Sequence, residues 1–182
     1  VLEQFNAAFG ELCVAFDRTP LATVAVLEGT VMGGGFGLAC VADIALAGRS
    51  VSFRLPETSL GVVPAQIAPF LVQRLGYSQA RRLAVSGGRL DGEQALRLGL
   101  VHELHEDGAL DAAVDAALAQ VRQCAPQAVG ATKALMARAL HEPAEGLVAD
   151  AAQVFAKAAL GDEGMEGIAA FVEKRAPRWA TH

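Results

Sequence analysis

An α/β fold followed by a wholly helical region is predicted for this chain by three observations. Short β-branched and apolar runs, Thr23–Leu27 and Ile44–Ala47, have the length of buried strands. The triple glycine Gly33–Gly35 between them opens a compact segment of small residues, Phe36 to Val41, that reads as a helix. From Leu110 onward, apolar residues mark helical stripes and the chain reads as wholly helical. Strands alternating with helices, then helices alone, divide the chain into a core over 1–109 and a helical region over 110–182.

The elements follow in order. Leu2, Phe5, Phe9, Leu12 and Phe16 make one apolar helix face, ended near Thr19-Pro20. Gly29 breaks the first strand, and Ser52-Phe53 is a candidate third strand. Beyond Pro56-Glu57 and the Gly61–Pro64 turn, Ile67–Leu75 reads as a helix stopped by Gly76. Ser78 is placed to cap the next helix, which runs to Val85 before Gly87-Gly88. Asp91 with Gln94 three residues on has the form of a capping box. Val101–Leu104 is a short strand candidate. Stripes led by Leu110, Leu147 and Ile168 mark the later helices, with Pro126 starting one and Asp162 as the N-cap of the last.

Bulk properties narrow the function. Apolar residues make up 53% of the 182 and charged ones 19%, which implies an ordered, core-rich chain and hints at buried subunit contacts. A net charge of -5 with scattered Lys and Arg argues against a nucleic-acid partner. Cys13, Cys40 and Cys124 are sparse and unpaired in spacing, which fits reduced thiols and a cytoplasmic setting. No apolar run is long enough to read as a membrane span, and no signal peptide is visible.

Two features carry chemistry. Glycines at a helix start leave unpaired N–H groups at the positive end of a dipole, which suits an anion or a developing oxyanion; tight strand-to-helix packing is the plain alternative. The stretch does not complete GxGxxG, since Leu38 stands where the last glycine belongs, and no Lys-Ser/Thr follows to make a P-loop. Glu57, after Leu55-Pro56 in an apolar stretch, is the second feature: a partly desolvated carboxylate suits general acid/base work, against the commoner surface Glu. His102-Glu103-Leu104-His105 lacks the spacing of a zinc helix and reads as a polar strand end; no metal site or nucleophile elbow is found.

The motifs EGTVMGGGFGLACVADIALAG (28–48), FRLPETSLGVVP (53–64), RLGYSQARRLAVSGGRLDGEQALRLGLV (74–101) and EGMEGIAAFVEKR (163–175) together resemble the enoyl-CoA hydratase/isomerase (crotonase) superfamily. The resemblance implies a β-β-α spiral core with C-terminal helices that form a homotrimer, often paired into a hexamer. It implies an acyl-CoA thioester as substrate, with coenzyme A carried by the substrate and no separate cofactor. Two backbone N–H groups would hold the enolate oxygen. Gly34 matches the second donor, and Gly33 and Gly35 flank it. The first donor belongs to an upstream segment not found here, so the stretch by itself is expected to be incomplete at its N-terminus and poorly active, one such donor being worth on the order of 10²–10³ in rate.

Hydratases with two carboxylates carry one just after the glycines, where this sequence has Gly37, and the other at the position of Glu57. A lone carboxylate favours a Δ3,Δ2-enoyl-CoA isomerase by simple counting. The LPETSLGVVPAQIAPFLVQRLG phrase is more similar to bacterial methylglutaconyl- and isohexenylglutaconyl-CoA hydratases, and hydration is the favoured reading. Arg54 could meet a carboxylate on such a substrate or could simply face solvent. Phe171 and Lys174 match positions that reach a neighbouring subunit's CoA, or they are the ordinary faces of an amphipathic helix. A fold kept without chemistry, as a trimer-forming scaffold, is the reading from another class.

Overall fold

Two small sheets, each ending next to a helix, frame the first of two compact units in this computed structural model, which describes residues 1–181. That unit comprises Val1–Asp17 and Thr23–Ala116; the second comprises Arg18–Ala22 and the stretch from Ala117 on. Mixed helix and short-sheet architecture agrees with the α/β spiral expectation.

In the first unit, α1 (Leu2–Arg18) precedes β1 (Val24–Leu27), β2 (Thr30–Met32), α2 (Gly34–Val41), β3 (Ile44–Gly48) and β4 (Ser52–Arg54). Then come α3 (Ala68–Ser86), β5 (Arg89–Asp91), α4 (Gly92–Arg97), β6 (Glu103–His105) and α5 (Leu110–Arg122). One sheet has the order β1-β3-β6, all parallel, with Val24 beside Ile44 and Leu46 beside Glu103. The other has the order β2-β4-β5: β2 and β4 are parallel with Met32 beside Arg54, and β5 is antiparallel to β4. A reciprocal lock starts the first sheet. The Asp43 carboxylate accepts from Thr23 N–H at 2.8 Å and its hydroxyl at 2.9 Å, and Asp43 N–H donates back to Thr23 Oγ1 at 3.0 Å.

The core explains why the apolar runs became strands. Phe36, Phe53, Leu46, Leu55, Leu71, Leu83 and Leu100 are fully buried. Phe36 of α2 meets Phe53 of β4 edge to face, with ring centroids 5.8 Å apart, a geometry worth about 0.5–1.5 kcal/mol beyond area burial. This contact pins α2 against the sheet that carries its own N-terminal strand.

Several boundaries differ from expectation. β2 and β5 are three residues each, too short to leave a periodic signal. Gly76 does interrupt α3 (φ 72°), yet the chain resumes helical conformation at once, so Ser78 lies inside the helix and is no cap. The last strand begins at Glu103 because Leu100 N–H turns back to Ala95 O at 2.9 Å. The capping box at Asp91–Gln94 forms as read, with Gln94 N–H donating to Asp91 Oδ1 at 2.7 Å and Asp91 N–H to Gln94 Oε1 at 3.0 Å.

The second unit holds the rest of α5, α6 (Pro126–Ala139), α7 (Ala144–Leu160) and α8 (Asp162–Glu173). Gly161, extended, is the N-cap of α8, so Asp162 becomes its first helical residue and acts on the helix dipole instead of capping. Glu163 of α8 accepts from Gln127 N–H at 2.9 Å and Ala128 N–H at 3.1 Å, capping α6 from outside its own sequence. Among the described residues no helix is long and apolar enough to cross a membrane.

Candidate active site

Parallel β2 and β4 stop side by side at Met32 and Arg54, and the two chemistry-bearing segments leave from that shared edge. Ligands gather at the carboxyl ends of parallel strands because helix N-termini begin there. After Met32, Gly33 takes φ 53° and ψ −123°, a conformation that a residue with a Cβ avoids, and it serves as N-cap of α2 without any side-chain cap. The first intrahelical bond is Gly37 N–H to Gly33 O at 3.2 Å, so the Gly34, Gly35 and Phe36 amides lie ahead of the ladder. Gly34 and Gly35 are exposed.

After Arg54, the buried Leu55 and Pro56 carry the chain into a 3₁₀ turn, Glu57–Leu60. The turn is braced at every step. The Thr58 hydroxyl donates to Ala84 O at 2.8 Å, Ser59 to Pro56 O at 2.6 Å, and Leu55 N–H to Gly88 O at 3.1 Å. Such bracing holds Glu57 in a set direction. Glu57 Oε1 lies 3.5 Å from where a Cβ on Gly33 would sit, so carboxylate and glycine turn share one site. Glu57 Oε2 is buried and has no hydrogen-bond partner, and Arg54 Nε is in the same state. A buried orphan of this kind costs about 1–3 kcal/mol in the absence of a ligand or water, so it marks a group kept for something else.

The three glycines are not equivalent. A Cβ on Gly34 would come 2.9 Å from Phe9 Cζ, whereas one on Gly35 would meet only Val31 at 3.9 Å. Phe9 of α1 therefore lies against the first turn of α2. Gly37 is buried, and a Cβ there would overlap Ile67 Cγ2. Ile67, itself buried at the N-cap of α3, thus fills the space into which a side chain at position 37 would grow. Neither Phe9 nor Ile67 was marked for this role by the sequence; both are apolar residues on ordinary helical stripes. Phe171 and Lys174 belong to the second unit, at the end of α8. Phe171 is 86% exposed, and Lys174 ends the helix in the left-handed conformation (φ 55°).

A glycine-opened helix and a buried carboxylate oxygen without a partner meet where two parallel strands of an α/β unit end. The family model described as enoyl-CoA hydratase/isomerase matches residues 3–182, and the chain belongs to that family. Among solved structures, it is similar to AtuE of Pseudomonas aeruginosa at 51% identity and a TM-score of 0.96, covering 99% of this chain and 70% of that one. It is 33% identical over 180 residues to the "Probable enoyl-CoA hydratase" of Mycobacterium bovis, covering 98% of this chain and 68% of the relative. It is 34% identical over 167 residues to the mitochondrial methylglutaconyl-CoA hydratase of Mus musculus, covering 88% of this chain and 52% of the relative.

Proposed function

We propose that this site adds water across the double bond of an α,β-unsaturated acyl-CoA thioester, with Gly34 N–H as one oxyanion donor and Glu57 as the acid/base. The single observation that carries the reading is Glu57 Oε2, buried without a partner beside the glycine turn that opens α2. The substrate's thioester oxygen would lie against Gly34 N–H, with Gly33 and Gly35 supplying the bare backbone around it. Glu57 takes a proton from water as the water oxygen bonds to C3. The π electrons move to the thioester oxygen, and Glu57 then delivers the proton to C2. Amides aimed at an oxygen that becomes anionic only in the transition state lower the barrier without trapping the ground state.

A branched glutaconyl-type acyl group is the favoured substrate. Its free carboxylate would satisfy Arg54, whose Nε has no partner, and the likeness to the mouse methylglutaconyl-CoA hydratase supports that choice. Coenzyme A enters as part of the substrate, with no separate cofactor. Phe171 and Lys174 are proposed to contact the CoA of a neighbouring subunit in a cytoplasmic homotrimer or hexamer.

Double-bond isomerisation is the second reading, and Ile67 favours it. With the space beside Gly37 filled by Ile67, position 37 offers no carboxylate to share the water, and one base suffices to move a proton between carbons. Assaying the full-length protein with 3-methylglutaconyl-CoA and with a 3-enoyl-CoA separates the readings: water addition, bond shift or silence point to hydratase, isomerase or scaffold. Glu57→Gln should lower turnover by about 10²-fold or more while acyl-CoA binding persists. Undiminished turnover in that variant removes Glu57 from the mechanism.

A further inference from the structure

The far end of α2 is held by a single side chain from another element. Arg74 on α3 donates from Nε to Cys40 O at 3.2 Å and from Nη2 to Ala39 O at 3.1 Å and Ala42 O at 2.5 Å. These carbonyls belong to the last turn and C-cap of α2, which leave the helix without intrahelical partners. Nothing in α2 itself could satisfy them, since its eight residues are apolar or glycine and its last turn carries no base. On its remaining side, Arg74 Nη1 lies 3.1 Å from His102 Nε2, while His102 Nδ1 accepts from Ala45 N–H at 2.9 Å. Arg74 and His102 together bracket the turn that joins α2 to β3.

α2 is about 12 Å long at 1.5 Å per residue, so its two ends move as one rigid body. Its N-terminal end has no polar side-chain cap, because Gly33 caps without a side chain and Gly34 and Gly35 offer none. Its packing contacts include Phe36 on Phe53 and Phe9 and Ile67 against its first turns, and the three carbonyls that Arg74 holds add a directional polar anchor. A guanidinium is a rigid planar fork, so it fixes direction as well as distance, which a lysine ammonium cannot do.

We infer that Arg74 is a positioning residue for the oxyanion donor: it holds α2 from behind so that Gly34 N–H stays in register with Glu57. This inference rests on the reading of Gly34 as that donor. A misplacement of about 1 Å at a reacting centre can cost up to 10²-fold in rate, and loss of this clamp permits a slide of that size.

The test uses the full-length protein with Arg74→Met, which keeps most of the side-chain bulk, and Arg74→Lys. The stretching frequency of a ¹³C-labelled thioester carbonyl is read by infrared difference spectroscopy on a bound saturated acyl-CoA, which counts only folded, occupied sites. The expected result for Arg74→Met is a kcat lower by about ten- to a hundredfold with KM within about twofold, and a smaller downshift of the carbonyl band. Arg74→Lys should fall between that variant and the wild type. If Arg74→Met lowers only the melting temperature and the number of occupied sites, with the band and kcat per site unchanged, the residue is structural and the inference fails. If the wild-type protein itself shows no downshift, the reading of Gly34 as donor fails instead.

Discussion

The two ends of α2 are built in opposite ways. At the C-terminal end, three carbonyls meet one guanidinium and a reciprocal Thr23–Asp43 lock follows immediately. At the N-terminal end, a glycine with positive φ takes the cap position, the next two residues have no side chains, and the nearest carboxylate keeps an oxygen without a partner. Folding has satisfied one end from within the protein and left the other to be satisfied from outside. Among the described residues, the buried side-chain atoms without a partner include Glu57 Oε2, beside the N-terminal end, and Arg54 Nε, on the strand that leads to Glu57, and this asymmetry is what the proposed site rests on.

The sharpest way to break this comparison is at adjacent glycines. Gly34→Ala should lower kcat by on the order of tenfold to a hundredfold, because its Cβ would press on Phe9 and shift the amide proposed as oxyanion donor. Phe9→Ala in the same chain should restore part of the loss, whereas Gly35→Ala, with open space around its Cβ, should leave kcat within about twofold. Equal effects at positions 34 and 35 in steady-state kinetics would refute the distinction.

A side chain at position 37 is opposed by packing. Gly37→Glu should destabilise the fold by about 1–3 kcal/mol through overpacking against Ile67, measured by urea denaturation, and should not raise hydration activity. Pairing it with Ile67→Gly should recover some of that stability. If Gly37→Glu alone is neutral, Ile67 does not close that space.

The back of α2 should also respond to acid. Burial, and next the Arg74 guanidinium, push the His102 imidazole below its ordinary 6.5. A neutral imidazole has one lone-pair nitrogen, so it can accept from Ala45 N–H or from Arg74, and protonation removes both options. The unfolded chain then binds the proton more readily than the native one. Stability is present above pH 6.5 and is lost as pH falls through the lower native value. Melting temperatures taken downward from pH 7 should fall in this window, and His102→Gln should flatten the fall.

Glu166 in the second unit acts at more acid pH. Hydrogen bonds from Arg175 first, aided by the Arg178 backbone N–H, bring it from 4.5 to about 2, so its contribution is intact above 4.5 and declines towards 2.

The smallest effect expected is chemical. Burial pushes the Cys40 thiol up to about 12 and raises that of Cys13 as well, whereas Cys124 is exposed. Iodoacetamide near neutral pH should label Cys124 and spare the two core thiols in the native protein, as read by peptide mass spectrometry.

Local rules explain what could be read in advance. Two residues, Asp91 and Gln94, made the capping box legible because both lie within one turn. Positive φ at Gly33, Gly61, Gly76 and Gly87 followed from glycine at turns and helix ends. That Glu57 lies beside the glycine turn could be anticipated from the order of the two segments in the resembled family. By contrast, Ser78 and Asp162 carried the right chemistry for caps, but the neighbouring Gly76 and Gly161 took the boundary conformations.

By itself, the sequence determined the α/β order, the helical second half, the apolar faces and the two chemistry-bearing segments, all of which rest on spacing within a few residues. Tertiary structure alone decided that β2 and β4 end together, that Phe9 presses on Gly34, that Ile67 occupies the space beside Gly37, and that Arg74 holds the carbonyls of a helix more than thirty residues away. The physical reason is distance along the chain. Periodicity and capping are written into neighbouring residues, whereas an orphaned carboxylate oxygen or an arginine on a foreign helix end exists only after the strands have paired and the core has closed.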